Sequence, residues 1–141
     1  MENEEQTRVN KAIVVRFNKE VIEAGNEAAF RELVTPEFVN RSAPPDMPAG
    51  PDGMHYFFEQ ILRPAFPDLR VEIHQQLAEG PWVATRKTIR GTHRGPLMGL
   101  AATGKAVAID VFDLVRLERG RYVEHWGLSS LAETMAQLQA K

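Results

Sequence analysis

No cysteine occurs in the 141 residues. Disulfides, thiolate catalysis and zinc–thiolate sites are therefore excluded, and the composition suits a reducing cytoplasm. No charge of one sign dominates. The net charge is −2 and the basic residues are scattered, so neither nucleic acid nor an anionic membrane is expected as a partner. No apolar run approaches the roughly 18 residues of a membrane span, and the start, MENEEQTRVNK, is acidic and polar. Neither a signal peptide nor a spanning helix is expected there. The four histidines are isolated and lack ligand spacing, so no metal is expected. No Gly-rich phosphate loop follows a strand, which leaves no cofactor motif. Ser129 and Ser130 read as helix caps, because no nucleophile elbow surrounds them. Internal repeats and low-complexity tracts are also lacking.

What is present is an ordinary globular composition, 43% hydrophobic and 26% charged. It is enough for one domain spanning residues 1–141. From Thr7, a plausible cap, Ala12, Ile13, Val14, Phe17, Val21 and Ile22 recur at helical spacing until Gly25-Asn26,. A second helix carries Ala28, Phe30, Leu33 and Val34, and Pro36 stops it. Phe38-Val39 begins a short extended piece. Ser42 to Gly53, SAPPDMPAGPDG, is a Pro/Gly-dense loop, either a binding loop or a connection. A third helix runs from about Pro51 to Phe66, with Met54, Phe57, Phe58, Ile61 and Leu62 as its buried stripe. The period then changes to two. Leu69, Val71 and Ile73 alternate in one strand. Val83, Thr85, Lys87, Ile89, Gly91 and His93 share one side of the next. A loop from Gly95 to Gly104 precedes a hairpin, and a helix over Ser129–Gln139 closes the chain. Helices followed by antiparallel strands predict an α+β fold. The helices cover one face of a curved, mainly antiparallel sheet and enclose a conical cavity.

The hairpin, AVAIDVFDLVRLERGRYVEHWG from Ala106 to Gly127, holds the candidate chemistry. A three-residue loop over Arg119–Arg121 pairs Leu117 with Val123, Val115 with His125 and Asp113 with Gly127. Val111, Asp113, Val115 and Leu117 then share a face with Val123, His125 and Gly127. In that register Asp113 and His125 are diagonal neighbours, roughly 7–8 Å apart. A carboxylate in an apolar strand needs a partner or a function. Asp113 is either a general base or a structural carboxylate bonded to a neighbour. His125 is either its partner or a satisfied core polar group. His93 either lines the pocket mouth or holds the following loop. Lys87 either recognises an anionic substrate or snorkels to the edge. Phe112 and Trp126 point the opposite way, toward a second subunit or the last helix. Arg116 and Glu124 share that outer face as a possible pair.

The pieces AIVVRFNKEVIEAGNEAAFRELVTPEFVNRSAPP, GPDGMHYFFEQILRPAFPDLRVEI, RGTHRGPLMGLAATGK and IDVFDLVRLERGRYVEHWG resemble the SnoaL-like polyketide (ester) cyclases of the nuclear-transport-factor-2-like superfamily. The resemblance runs from Val9 to about Leu138. It implies a closed pocket in an α+β cone, a homodimer through the sheet, and a metal-free, cofactor-free intramolecular aldol closure. In that chemistry a carboxylate takes a C–H proton and donors stabilise the enolate. Ketosteroid isomerase, a standing example of such proton abstraction, uses a related cone. Aligned residue by residue, the acid/base aspartate of the anthracycline cyclases falls at Gly127. Their pocket tyrosine falls at Ile22, an asparagine at Phe57, a glutamine at Val111 and a histidine at Asp113. All of these positions differ here, so the cavity is expected to be more apolar.

The expected function is a cofactor-free cyclase or isomerase acting on a small apolar carbonyl compound. Asp113 and His125 are its catalytic residues, and Ile22, Phe57, His93, Val111 and Gly127 bind the substrate. The alternative is a non-catalytic binding or dimeric scaffold protein that has lost the acid/base aspartate at Gly127.

Overall fold

A computed structural model describes residues 2–140. Helix α1 (Glu2–Arg16) continues as a π-helical stretch over Phe17–Glu23. It starts well before Thr7, which is no cap: its hydroxyl donates back to the Glu4 carbonyl at 3.0 Å. Gly25 ends this helix with φ +69, a conformation glycine adopts without strain. Arg63 donates to the Val21 and Ile22 carbonyls at 2.8 and 2.9 Å, satisfying two carbonyls near that end. Asn26 caps α2 (Glu27–Leu33) by accepting from the Ala29 N–H at 3.0 Å,.

Pro36 does not stop α2. The helix ends at Leu33, and Pro36 lies inside strand β1 (Val34–Asn40). Proline is tolerated there because β1 is an edge strand whose pairing is irregular between Val34 and Val39,. Helix α3 (Pro51–Tyr56) begins with proline in its first turn, becomes π-helical over Phe57–Leu62, and closes with a turn at Arg63–Ala65,. Strands β2 (Arg70–Glu79), β3 (Trp82–Thr92), β4 (Ala106–Glu118) and β5 (Arg121–Ser129) follow. The last helix, α4, covers Leu131–Gln139. It starts after both expected caps. The Ser129 hydroxyl accepts from the Leu131 N–H at 3.3 Å, whereas the Ser130 hydroxyl accepts from the Asp110 N–H at 2.9 Å.

The sheet order is β1-β5-β4-β3-β2, antiparallel except that β1 runs parallel to β5. The sheet is open, and α1 and α3 with their π-helical extensions cover its concave face. The inner side of β3 is the row read from the sequence: Val83, Thr85, Lys87, Ile89, Gly91 and His93 are all buried. The core lies between this face and the helices, built on Phe17, Val21, Phe38, Leu62, Phe66, Val71 and Val115. Bulges bend the strands. One falls between Ile73 and Gln75 of β2, another opposite the step from Arg116 to Leu117.

That second bulge corrects the hairpin. The turn has two residues, Arg119 and Gly120, with φ +52 and +78, the pair of positive values that suits a tight hairpin. Leu117 therefore faces Tyr122, not Val123. Val123 is the extra residue of the bulge, and beyond it the register returns to Val115↔His125 and Asp113↔Gly127. The bulge also places Tyr122 on the inner face, three residues before His125.

Candidate functional site

A cavity of about 280 Å³ opens between the concave sheet and the two π-helical stretches. This size sits near the lower end of small-molecule sites. The widened helical turns aim Phe17, Ile22, Phe57 and Phe58 at it, and β4 adds Ile109 and Val111. Such π-helical insertions recur at functional sites. Phe57, Phe58 and Ile61 are only partly buried, and Phe57 and Phe58 face cavity space rather than packed core. Ser42, Pro44 and Met47 of the loop after β1 border the cavity. The Ser42 hydroxyl accepts from the Gly127 N–H at 2.9 Å and ties that loop to β5.

Polar groups converge within these apolar walls. Lys87 does not snorkel. It lies in the middle of β3 under α1, and its side chain is only 4% exposed. Its Nζ donates to Asn18 Oδ1 at 2.6 Å and sits 3.0 Å from Asp113 Oδ2. Asn18 is held in turn by donating to the Val14 carbonyl at 2.8 Å. The Asp113 side chain is 7% exposed, and its other oxygen, Oδ1, is sealed off without a partner. Asp113 is thus half of a buried ion pair with Lys87, a role that neither substrate recognition nor snorkelling describes.

His125 Nε2 lies 3.9 Å from Asp113 Oδ2, too far for a hydrogen bond. Its Nδ1 is 2.8 Å from Asn40 Oδ1. That oxygen also accepts from the Ser42 N–H at 3.1 Å, so it is the acceptor of the Asn40 amide, and the imidazole proton resides on Nδ1. Burial holds the His125 imidazole below its ordinary value, with Lys87 adding to that effect and Asp113 opposing it,. At neutral pH the ring is uncharged, and among the described residues no donor reaches the Nε2 lone pair.

Gly127 makes this placement possible. A Cβ there would stand 2.8 Å from His125 Cε1 and 3.1 Å from Nε2. The imidazole occupies space that any side chain at 127 would claim. Tyr122 completes the group. Its ring stacks on Phe17 at 4.1 Å between centroids and lines the cavity. Burial, with a smaller contribution from Asp113, raises its phenol well above the ordinary value.

Of the residues singled out in the sequence, Ile22, Phe57, Val111, Asp113, His125 and Gly127 border one cavity. His93 does not. It is fully buried, and Nδ1 accepts from the Thr103 N–H at 3.2 Å. It fastens the loop after β3. Asn40, Tyr122 and the Lys87–Asn18 link were missed. Asn18 carried a signal, an amide on the apolar stripe of α1, four residues after Val14. Tyr122 carried none, because strict alternation assigns it outward. Away from the cavity, Glu27, His55 and Glu59 bring ligand-type atoms within 4.8 Å of one another. His55 is in hydrogen-bond contact with Glu27 at 2.6 Å and Glu59 is paired with Arg63, so each of these groups already has a partner.

A family model described as SnoaL-like polyketide cyclase matches residues 12–138. The chain belongs to the SnoaL-like polyketide cyclase family. Solved structures agree with this assignment. IdmH of Streptomyces antibioticus, a candidate polyketide cyclase, is 27% identical with a TM-score of 0.81, covering 93% of this chain and 99% of its own. AclR of Streptomyces galilaeus, a candidate hydroxylase, is 26% identical with a TM-score of 0.82, covering 94% and 96%. A candidate polyketide cyclase of Acidithiobacillus ferrooxidans is 25% identical with a TM-score of 0.82, covering 93% and 94%. No curated protein matches the chain. No described helix of this SnoaL-like protein is long and apolar enough to cross a membrane.

Proposed function

We propose that this SnoaL-like protein moves a proton on a small, largely apolar carbonyl compound held in the cavity, without a cofactor, in the cytoplasm. Its structural relatives are assigned to different chemistries, cyclisation for one and hydroxylation for another. The reaction is therefore read from the residues. The observation that carries the reading is the His125 Nε2 lone pair, neutral, without a donor among the described residues and 3.9 Å from a carboxylate.

His125, rather than Asp113, is the base in this reading, because Asp113 Oδ2 is already engaged by Lys87. Nε2 takes a proton from the carbon next to the carbonyl. The C–H electron pair moves into the carbonyl, and its oxygen becomes an enolate oxygen. The new imidazolium N–H faces Asp113 Oδ2, which stabilises it, while Asn40 holds the ring and its tautomer. A carboxylate that steadies an imidazolium without taking its proton follows established logic. Return of the proton to another carbon gives an isomer. Attack of the enolate carbon on a second carbonyl of the same molecule closes a ring. Ile22, Phe57, Val111 and the bare backbone at Gly127 form the substrate contacts.

The test is deuterium uptake by 2-tetralone, a bicyclic ketone with activated C–H bonds, followed by NMR in D₂O. Wild type should accelerate exchange, and His125→Gln should lower the rate by about 10²–10⁴. No acceleration by wild type would sink the proton-transfer reading. It would leave the second one, a non-catalytic binder, which the missing carboxylate at Gly127 favours.

The outer face of the sheet is the proposed contact with a second copy. Leu77, Ala84, Leu114 and Trp126 form one row across β2 to β5, with Phe112 and Leu128 beside it. Leu128 is 80% exposed and Phe112 60%, an apolar patch of the kind that marks an interface.

A further inference from the structure

The cavity contains a hydrogen-bond donor that the protein itself does not use. Among the described residues, no hydrogen bond to the Tyr122 hydroxyl is formed. Its backbone carbonyl accepts from Thr35, and its ring stacks on Phe17. The sealed, unpartnered side-chain atoms among those residues are His93 Nε2 and Asp113 Oδ1. The Tyr122 hydroxyl is not one of them, although the residue is only 2% exposed. The phenol oxygen therefore reaches cavity space that Tyr122 itself lines. A buried hydroxyl without a partner is costly, and tyrosines in such places normally find one.

We infer that the Tyr122 hydroxyl is the docking donor for the ligand's carbonyl oxygen. This deepens the reading above and rests on it for the class of ligand, a carbonyl compound, but not for the chemistry. Three observations converge. The bulge at Val123 puts Tyr122 and His125 on the same inner face of β5, so one ligand spans both. The Phe17 stack, with rings 20° from coplanar, fixes the plane in which the phenol can swing. The phenol also stays protonated across the physiological range, because burial and the nearby Asp113 charge oppose ionisation,. A donor that cannot ionise suits an oxygen that gains negative charge as the neighbouring C–H proton leaves for His125. Neither Asp113 nor neutral His125 can supply that bond: the carboxylate only accepts, and the imidazole proton is committed to Asn40,.

The experiment compares 2-tetralone with tetralin, the hydrocarbon of nearly the same shape, in equilibrium binding to wild type and Tyr122→Phe. The variant keeps the Phe17 stack and removes one oxygen. Wild type should bind the ketone roughly five- to tenfold more tightly than the hydrocarbon. Tyr122→Phe should lose that preference while its tetralin affinity stays within about twofold. The carbonyl stretch of bound 2-tetralone in wild type, measured by infrared difference spectroscopy, should lie below its value in dry hydrocarbon solvent. That readout stands even if the variant folds poorly. A ketone preference that survives Tyr122→Phe, or an unshifted stretch, overturns the inference; a Tyr122 that served only Asp113 would give that result. Binding of neither compound overturns the cavity reading and the inference with it. A Tyr122-dependent ketone preference without deuterium exchange upholds the docking role and removes only the proton transfer.

Discussion

Replacing Lys87 by methionine tests the polar centre of the cavity most directly. Lys87 and Asp113 are paired at 3.0 Å with side chains 4% and 7% exposed. Neither charge has water to fall back on. Lys87→Met leaves the Asp113 carboxylate buried with no cation, and its Oδ1 is already without a partner. Breaking such a pair from one side costs about 3–5 kcal/mol. The Asn18 oxygen loses its 2.6 Å donor as well, adding about 1 kcal/mol or more. For a chain of this length each kcal/mol moves the midpoint by roughly 2–4 °C, so a drop of about 10–15 °C is expected. Lys87→Met/Asp113→Leu removes both charges and should recover most of the loss, ending about 1–3 kcal/mol below wild type because Asn18 stays unpaired. Urea melts followed by circular dichroism give both numbers, provided the slope stays constant. A single substitution costing under about 1 kcal/mol would mean that the pair behaves like a solvated one. A double variant no more stable than the single would show that the stranded carboxylate is not the source of the loss.

Further outcomes follow from the same geometry. The folded-state value of His125 is lowered, so the unfolded chain binds its proton more readily. Stability from this residue is complete above the unfolded value of 6.5 and is lost as pH falls through the folded value,. His125→Gln should flatten the pH dependence of the melting temperature just below pH 6.5. The exchange rate of wild type should stay level down through pH 6.5 and fall only as pH drops through the lower folded-state value of His125. Gly127→Ala should push the imidazole away from Asp113, since the new Cβ would lie 2.8 Å from Cε1; about a 10²-fold slower exchange is expected, with the fold retained by circular dichroism. Phe112→Glu together with Trp126→Glu, neither of which borders the cavity, should convert the proposed dimer to a monomer in sedimentation velocity. An unchanged sedimentation coefficient would dismiss that face as the contact.

Much of the fold was legible because burial imposes a period. Along β3 and into His93 every inward position from Val83 is buried, and of the outward positions between them Thr88 alone is buried as well. The third helix showed its proline start, and Gly25 its left-handed end. Pairings far along the hairpin, Val115 with His125 and Asp113 with Gly127, came out right although the assumed loop length did not. A one-residue shorter turn and a one-residue bulge cancel. The parallel partner of β1 left no local trace, since no turn joins it to β5.

The sequence alone determined the class of fold, the inward faces of the long strands, and the presence of an acid and an imidazole near one another on a greasy face. These are local properties, set by alternation, turn chemistry and residue type. Tertiary structure decided what those groups are for. It brought Lys87 from β3 onto Asp113, Asn18 from the π-helical extension of α1 onto Lys87, and Asn40 from β1 onto His125. Through a bulge that no composition reveals, it also turned Tyr122 inward. Each of these contacts joins residues distant in the chain, and whether a carboxylate is a free base or half of an ion pair depends on which distant cation the fold delivers to it.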